Sequence, residues 1–244
     1  MKTTNLLFTT LLASSILFSS CSDDGICTQG QGRIVTETFD LDDFSGIDLS
    51  ESADVTITQG DIQKVTVTGH GNIIDLLETS VRNGIWQIDL ERGCYRDYEL
   101  SIDILIPYVH AISISGSRIV YVDAFEDQNN LDIDISGSRK IELERFKDPK
   151  NLDFRISCSG DVIGYDHFDI LQNLDIRISG SGNYDAYPIE TDNADIKISG
   201  SGDCYTTVLN VLDVDISGSG RVRYHGNPTV NKNISGSGSV KKTD

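Results

Sequence analysis

The sequence predicts an all-β protein, a β-solenoid in which short coils stack along one axis. The first observation is an Ile-Ser-Gly-Ser motif that recurs every 18 to 22 residues. A period of this length is typical of repeat architectures, in which each repeat packs only against its neighbours. The second is that alternating apolar and polar residues precede each motif, the pattern of a half-buried strand. The motif serines are Ser115, Ser136, Ser179, Ser199, Ser217 and Ser235, with a Ser-Cys-Ser-Gly variant at Ser157.

Residues 1–20 have the features of an export signal peptide. Lys2 supplies a positive start, and a largely apolar run over residues 6–18 leads through two serines to Cys21. This run is too short for a transmembrane helix. A small residue just before a cysteine resembles a bacterial lipobox, so we expect Cys21 to be lipidated and to become the mature N-terminus. The alternative is an ordinary signal peptide with an incidental cysteine.

The residues that follow Cys21 predict the final location of the protein. Ser22, Asp23 and Asp24 resemble the acidic surface-export signal of Bacteroidetes lipoproteins, which would place the chain on the outer face of the outer membrane. The alternative is a solvated acidic tether. We expect residues 21–32 to form a tether, and any membrane contact to be made through the lipid anchor.

The chain is strongly acidic. Its formal net charge of −18 becomes −19 when the signal peptide, which contains Lys2, is removed. Like charge repels nucleic acid and anionic lipid, so neither is expected as a partner. An acidic surface suits cationic or divalent partners, although such surfaces usually serve only solubility.

Four cysteines follow Cys21. Cys27 and Cys94 lie outside the repeats in polar surroundings, and an exported protein can hold a disulfide that would pin the tether to the body. The alternative is that both remain free. Cys158 and Cys204 lie within the repeats, about two coils apart, which is too far to bridge. We expect both to be small buried thiols.

Residues 33–110 are expected to form an N-terminal β region that either continues the solenoid or caps it. Turn signals at residues 59–61 and 82–84 separate segments of alternating apolar and polar residues. Residues 72–79 are the one plausible short helix or loop, and Pro107 allows only a strand end or edge. The alternating segments are residues 55–58, 65–68, 86–90 and 100–104.

Residues 111–240 are expected to form about seven coils of roughly 20 residues each. In five repeats three apolar residues alternate with two polar ones up to the motif serine, so the apolar triple should point into the tube and the polar pair outward. The motif glycines should lie where the chain bends or where a side chain would not fit. Examples of the triple are Leu131, Ile133 and Ile135, Leu152, Phe154 and Ile156, and Leu174, Ile176 and Ile178.

Two polar columns should follow from this alignment. Stacked asparagines at Asn130, Asn151, Asn173 and Asn193 should hydrogen-bond along the solenoid. The second column, Asp132, Asp153, Asp175, Asp195 and Asp213, is interpreted as charge-compensated surface, because three of its members have a cation two residues away. A calcium or other divalent site is the weaker hypothesis, and it would lie at the uncompensated ends, Asp132 with Asp134 and Asp213 with Asp215.

Three features together carry a family resemblance. They are Phe-Ser-Gly-Ile-Asp-Leu-Ser at residues 44–50, the strand and turn at residues 53–60, and the Ser-Gly repeats from Ser115. Over residues 35–240 the chain resembles the GIN-type auto-transporter adhesin head domain of Bacteroidetes lipoproteins. The resemblance implies a right-handed parallel β-helix and an adhesive role, with no catalytic residues to carry over. Cys158, Arg118 and Arg139 depart from the repeat pattern where other coils have glycine.

The expected function is therefore adhesin-like, non-enzymatic binding outside the cell, to polysaccharide or to a host or envelope protein. A structural or assembly role is the alternative. A β-helix polysaccharide lyase or hydrolase is less favoured, because a catalytic site would interrupt the repeat with long loops, and the connections here are short. Candidate sugar-stacking residues, which could instead cap the core, are Tyr95, Tyr98, Tyr108, Tyr121 and Tyr165.

Overall fold

The computed structural model describes residues 27–116, 118–126, 128–147, 149–166 and 171–243. Cys21 and the signal at Ser22, Asp23 and Asp24 lie outside the described residues. Strands make up 65% of the structure and helix only 2%, and the strands stack as a β-solenoid of about six turns. The predicted fold class is thus confirmed.

The secondary-structure elements are short in the N-terminal part and longer in the repeats. The first elements are β1 (Thr28–Gln29), β2 (Ile34–Phe39), β3 (Gly46–Leu49), β4 (Asp54–Gln59), β5 (Lys64–His70), α1 (Gly71–Ile74), β6 (Val81–Arg82), β7 (Ile85–Ile88), β8 (Tyr95–Arg96) and β9 (Leu100–Ile106). The repeats contain β10 (Ala111–Ile114), β11 (Ile119–Val122), β12 (Asn130–Gly137), β13 (Lys140–Leu143), β14 (Asn151–Cys158), β15 (Asp161–Gly164), β16 (Leu171–Gly180), β17 (Asn183–Gly200), β18 (Asp203–Gly218), β19 (Arg221–His225), β20 (Thr229–Gly236) and β21 (Ser239–Lys242).

Parallel pairing arranges these strands in two stacks along the axis. The first stack runs in the order β7, β3, β10, β12, β14, β16, β17, β18 and β20. The second runs in the order β9, β4, β11, β13, β15, β17, β18, β19 and β21. The long strands β17 and β18 pass around a corner and contribute to both stacks.

The repeat motifs lie directly above one another. Ser136 pairs with Ser157, Ser157 with Ser179, and the column continues through Ser199 to Ser235. The structure has about six turns, close to the roughly seven coils expected from the motif count.

The N-terminal region extends the stacks and closes one end. β3 and β7 add two strands to the first stack, and β4 and β9 add two to the second. β7 and β9 are the outermost of these strands. β5 then pairs antiparallel with β9, and β2 pairs antiparallel with β5. Residues 33–110 therefore both continue the solenoid and cap it, the two possibilities that the sequence left open.

The core is a single column of apolar side chains inside the tube. The inward triples are almost completely buried, as predicted. Burial of an isoleucine, leucine or phenylalanine side chain contributes about 1.5–3 kcal/mol, so each coil is stabilised mainly by contact with its neighbours. Aromatic pairs reinforce two levels, with ring centroids 5.7 Å apart for Phe125 and Phe146 and 5.0 Å apart for Phe154 and Tyr184.

The cysteines divide into a bonded and a free pair. A disulfide joins Cys27 to Cys94 across 67 residues, and β1 pairs with β8 beside it, which fixes the start of the described chain to the capped end. Cys204 is buried, as expected, but Cys158 is exposed, contrary to the expectation of a buried thiol. Cys158 stands at a corner with φ of 65°, where the side chain points out of the tube.

Glycine occupies the corner of most coils, where its positive φ and, at several levels, the lack of space favour it. Gly200 has φ of +136°, and a Cβ atom there would lie 2.2 Å from the carbonyl oxygen of Gly180 in the coil below. That distance is far below van der Waals contact, so an alanine would strain its own backbone and also push two coils apart.

We expect Gly200→Ala to lower the free energy of unfolding by about 3 kcal/mol, from left-handed strain plus overpacking. The measurement is urea unfolding followed by circular dichroism. Ser201→Ala is the matched control, because Ser201 is exposed one residue away. Equal stability of the two variants would contradict this account of the corner.

Candidate binding faces

The solenoid presents two long outer faces, one for each strand stack. The ladder face consists of the outward side chains of the first stack, from β7 to β20, and the tyrosine face of those of the second stack, from β9 to β21. Because the strands are in register, residues at equivalent positions lie about 4.8 Å apart along the axis. Each face is therefore a set of parallel columns.

An asparagine column runs along one border of the ladder face. Nδ2 of Asn151 donates to Oδ1 of Asn130 at 2.7 Å, and Nδ2 of Asn173 donates to Oδ1 of Asn151 at 2.9 Å. Asn193 donates instead to the backbone carbonyl of Gln172 at 3.2 Å. The predicted hydrogen bonding between stacked asparagines is present, and it joins successive coils by their side chains.

The aspartate column beside it is neutralised by its own neighbours. Asp153 lies 3.2 Å from Arg155 and 3.6 Å from Arg177, and Asp175 lies 2.8 Å from Arg177. Lys197 likewise pairs with Asp195 at 2.9 Å. Partial burial raises the pKa of the Asp175 carboxyl, and the charge of Arg177 opposes that rise. The centre of the ladder face is thus a network of ion pairs, as the sequence suggested.

The four aspartates considered for a divalent cation lie at two separate places on this face. Asp132 and Asp134 are on β12 and Asp213 and Asp215 are on β18, four strand spacings away, or about 19 Å. Asp134 is in register with Arg155, and Asp215 with Lys197, so a cation does stand beside each in the next strand. Within the described ranges, no three His, Cys, Asp or Glu side chains are arranged to hold a metal ion.

The tyrosine face carries two columns that contain aromatic residues. The first column consists of Tyr121, Glu142, Ile163, Asp185, Tyr205, Arg223 and Lys241. The second is less regular. It includes Tyr165, just beyond the end of β15, and Tyr187 and His225, whereas Thr207 of β18 between them is buried and is paired with Glu190. Aromatic side chains therefore recur along most of the length of this face.

The aromatic residues converge near the C-terminal end. The Tyr187 ring stacks on His225 with centroids 4.1 Å apart and meets Tyr205 edge-on at 5.6 Å. The guanidinium carbon of Arg223 lies 5.8 Å from the centre of the Tyr205 ring. This arrangement fixes several flat rings on a rigid sheet, which is a suitable surface for stacking against a planar or cyclic ligand.

The sequence patterns alone did not single out Tyr187, Tyr205 and His225. Their signal was an offset from the motif: Tyr121 and Tyr205 lie six residues after the first motif serine, and Tyr165, Tyr187 and His225 lie eight residues after it. Both offsets point outward when the adjoining apolar residue points in. Aligning every repeat on its motif would have grouped them.

Comparison with known proteins assigns the chain to a family. Residues 43–228 match the family model described as "Putative auto-transporter adhesin, head GIN domain". The chain belongs to this family. Membership indicates an adhesin-like protein of the cell surface or envelope, and the GIN head is described as an adhesin, not as an enzyme. None of the curated proteins compared with the chain matches it.

Solved structures share the fold of this GIN head. A putative adhesin from Bacteroides fragilis is 21% identical with a TM-score of 0.80, over 88% of this chain and 100% of the other. A putative lipid binding protein from Parabacteroides distasonis is 23% identical with a TM-score of 0.70, over 89% and 99%. A putative adhesin from Parabacteroides merdae is 17% identical with a TM-score of 0.67, over 89% and 99%.

The GIN head does not bring the five predicted stacking tyrosines together. Tyr121 and Tyr165 lie on the tyrosine face, and Tyr165 is 50% exposed. Tyr95 and Tyr98 are half-buried near the disulfide end, where their hydroxyls donate to the carbonyl of Glu91 and to the carboxylate of Glu51. Those two therefore help to pack the capped end, the alternative that the sequence analysis kept open.

Tyr108 stands apart, 59% exposed, on the loop after Pro107. It lines a cleft of about 510 Å³ together with His110 and Glu126. Gln59 also lines this cleft, but its amide is engaged with the backbone of Pro107 and Glu126. The cleft is a second, smaller surface that could hold a ligand.

No helix among the described residues of this GIN head is long and apolar enough to cross a membrane.

Alkaline pH should lower the free energy of unfolding through one residue of the tyrosine face, Tyr121. Burial, and then the carboxylate of Glu144, raise the pKa of Tyr121 from its ordinary value of 10 to about 12. The folded state therefore keeps this proton when the unfolded state has lost it. The free energy of unfolding should fall as the pH rises from about 10 to about 12, with no contribution from Tyr121 to the pH dependence below that window.

The measurement is urea unfolding at several pH values for the wild type and Tyr121→Phe. The variant should show a shallower decline within the window, because its residue 121 has no proton to lose. Tyr165→Phe, which removes an exposed tyrosine from the same face, is the control. Identical slopes for the wild type and Tyr121→Phe would contradict the assignment.

Proposed function

We propose that this protein is a surface-exposed lipoprotein of the outer membrane that binds extended polysaccharide along its tyrosine face, without catalytic turnover. The observation that carries the proposal is the recurrence of outward aromatic side chains in two columns on one rigid face. Sugar rings offer apolar C–H surfaces that stack on aromatic rings, and a polymer can use several such contacts in succession.

The chemistry of the two faces favours the tyrosine face. On the ladder face the central charges are paired with one another and the asparagines bond along the column, so its polar groups are already partly engaged. On the tyrosine face Tyr165 is half exposed, and Tyr187 and Tyr205 are only partly covered. A ligand that stacks on these rings therefore does not have to break the ion pairs and asparagine bonds of the ladder face.

Rigidity supports the same proposal. The rings are held on strands paired on both sides through most of the stack, so little conformational entropy is lost when a ligand orders them. Weak contacts repeated along one polymer then combine into useful avidity. An adhesin with this design needs no deep pocket.

The anchor is supported by the sequence and by the disulfide. Cys21 is six residues before Cys27, and Cys27 is fixed to the capped end through Cys94. Six residues span at most about 20 Å. Lipidation of Cys21 would therefore hold the capped end near the membrane and direct the opposite end away from it.

We expect Cys21→Ser to move the protein from the membrane fraction to the soluble fraction, because a lipid chain supplies its only proposed attachment. Fractionation with immunodetection measures this. Ser19→Ala, a change two residues earlier, is the control and should leave the protein in the membrane fraction.

Surface exposure is tested separately from lipidation. Protease treatment of intact cells should degrade the wild type, whereas replacement of Asp23 and Asp24 by asparagine should protect the protein by leaving it in the periplasm. Equal protection of the wild type and this variant would contradict the surface location.

Polysaccharide binding is tested with a glycan array and then with titration calorimetry on the best polymer. Tyr165→Ala and Tyr205→Ala should each weaken binding about tenfold, because loss of a stacking ring costs on the order of 1 kcal/mol or more. Tyr108→Ala is the matched control, since it removes an exposed tyrosine away from this face. A larger effect of Tyr108→Ala would place the site in its cleft instead.

The same samples separate the remaining alternatives. Loss of binding on calcium chelation would support a divalent site at the paired aspartates, and shortening of the polymer would reveal an enzyme. A glycan array with no hits, together with a mass that rises with concentration in light scattering, would favour the assembly role.

A further inference from the structure

Charge is segregated sharply along this acidic chain. Residues 221–243 contain five lysine and arginine residues and no aspartate or glutamate. The rest of the mature chain has a large excess of acidic residues. The basic segment forms β19, β20 and β21, which are the last strands of both stacks. One end of an otherwise negative solenoid is therefore positively charged.

The position of this end follows from the strand order. β21 is the last strand of the second stack, and β9, near the disulfide and the cap, is the first of its parallel strands. Eight strand spacings separate the two, which corresponds to about 38 Å. The basic end is therefore the end furthest from the proposed lipid anchor.

Two of the five cations stand among the aromatic residues of the tyrosine face. Arg223 is in register with Tyr205 on one side and Lys241 on the other, and both cations are exposed. Arg223 also approaches the Tyr205 ring face closely enough for a cation–π contact. Cations and rings thus share one patch of about three strands.

The neighbouring Arg221 already forms an ion pair with Asp203. Its Nε donates to Asp203 at 2.8 Å and its Nη2 donates to the second oxygen of the same carboxylate, whose side chain is only 11% exposed. This bidentate pair neutralises Arg221 and anchors the strand. Arg223 and Lys241 are left as the outward cations of the patch.

We propose that the basic-aromatic cluster, defined as Tyr187, Tyr205, His225, Arg223 and Lys241, is a binding site for an acidic polysaccharide. The rings stack on sugar faces, and the two cations pair with carboxylate or sulfate groups of the same polymer. This inference rests on the proposed function and names its ligand class and its place on the face. The acidic remainder of the solenoid repels such a polymer, which confines binding to the distal end.

The geometry favours a polysaccharide over other anions. A guanidinium group presents a planar fork that matches a carboxylate or sulfate, and the neighbouring rings supply a flat surface beside it. A polysaccharide with charged sugars offers both features within one or two residues. An acyl lipid offers the charge, but its chains would gain little from outward rings on a sheet surface.

The test uses the full-length protein in detergent micelles and immobilised polygalacturonate and heparin as carboxylated and sulfated probes. Dextran, a neutral polymer, and vesicles containing phosphatidylglycerol are compared in parallel. The double variant Arg223→Gln with Lys241→Gln should weaken binding to one or both acidic polymers at least about tenfold, since it removes two charge-assisted hydrogen bonds to the polymer.

The matched control is Arg33→Gln with Arg92→Gln, which removes two exposed positive charges elsewhere on the chain. It should leave the affinity for the acidic polymers within about twofold, as expected for charges outside the site. An equal loss with both double variants would show non-specific attraction and overturn the proposal.

The remaining outcomes separate this site from the broader function. Binding of dextran that depends on Tyr165 but not on Arg223 and Lys241 would retain the polysaccharide function and overturn the acidic site. Binding of vesicles in preference to both acidic polymers, lost in the Arg223 and Lys241 variant, would assign the cluster to anionic lipid and overturn it. No binding of any polymer would overturn both proposals.

Discussion

In-register parallel pairing of successive coils is the constraint on which the rest of this structure depends. Each coil lies about 4.8 Å from the next, so residues of paired strands face their equivalents in the repeats above and below, apart from an irregular stretch between β17 and β18. At the corners the backbone itself is the neighbour. A Cβ atom at Gly200 or Gly202 would lie 2.2 Å from a carbonyl oxygen of the previous coil. Close packing between coils therefore favours the glycines of the Ser-Gly motif.

The same constraint decides the chemistry of the outer faces. Stacking repeats equivalent side chains at short distance, so an uncompensated aspartate column would accumulate repulsion. Arg155, Arg177 and Lys197 relieve it, and asparagines beside them convert the repetition into hydrogen bonds. The tyrosine face uses the repetition differently. Aromatic rings tolerate close neighbours, and Tyr187, Tyr205 and His225 pack into one cluster.

Among the described residues, antiparallel strands cover one end of the stacks and not the other. Antiparallel strands β5 and β2 cover the N-terminal end, and the disulfide between Cys27 and Cys94 fixes the preceding chain there. Within the described residues, β20 and β21 pair only with the coil before them. Lysines near such an edge discourage pairing with another sheet. Here the cations also stand beside the aromatic cluster, so protection of the edge and ligand binding draw on the same residues.

The sequence by itself determined the repeat, the strand pattern, the inward triples and the asparagine and aspartate columns, because each depends on period and on the alternation of side chains. It also indicated that the motif glycines lie where the chain bends or where a side chain would not fit. Only the tertiary structure decided how residues 33–110 join the solenoid, since β7 and β9 stack on strands that precede them in the chain. It likewise decided which tyrosines share a face: Tyr121 and Tyr165 do, whereas Tyr95 and Tyr98 pack at the cap. Neighbours across coils, such as Arg155 beside Asp134, follow from register, a property of paired strands and not of one strand alone.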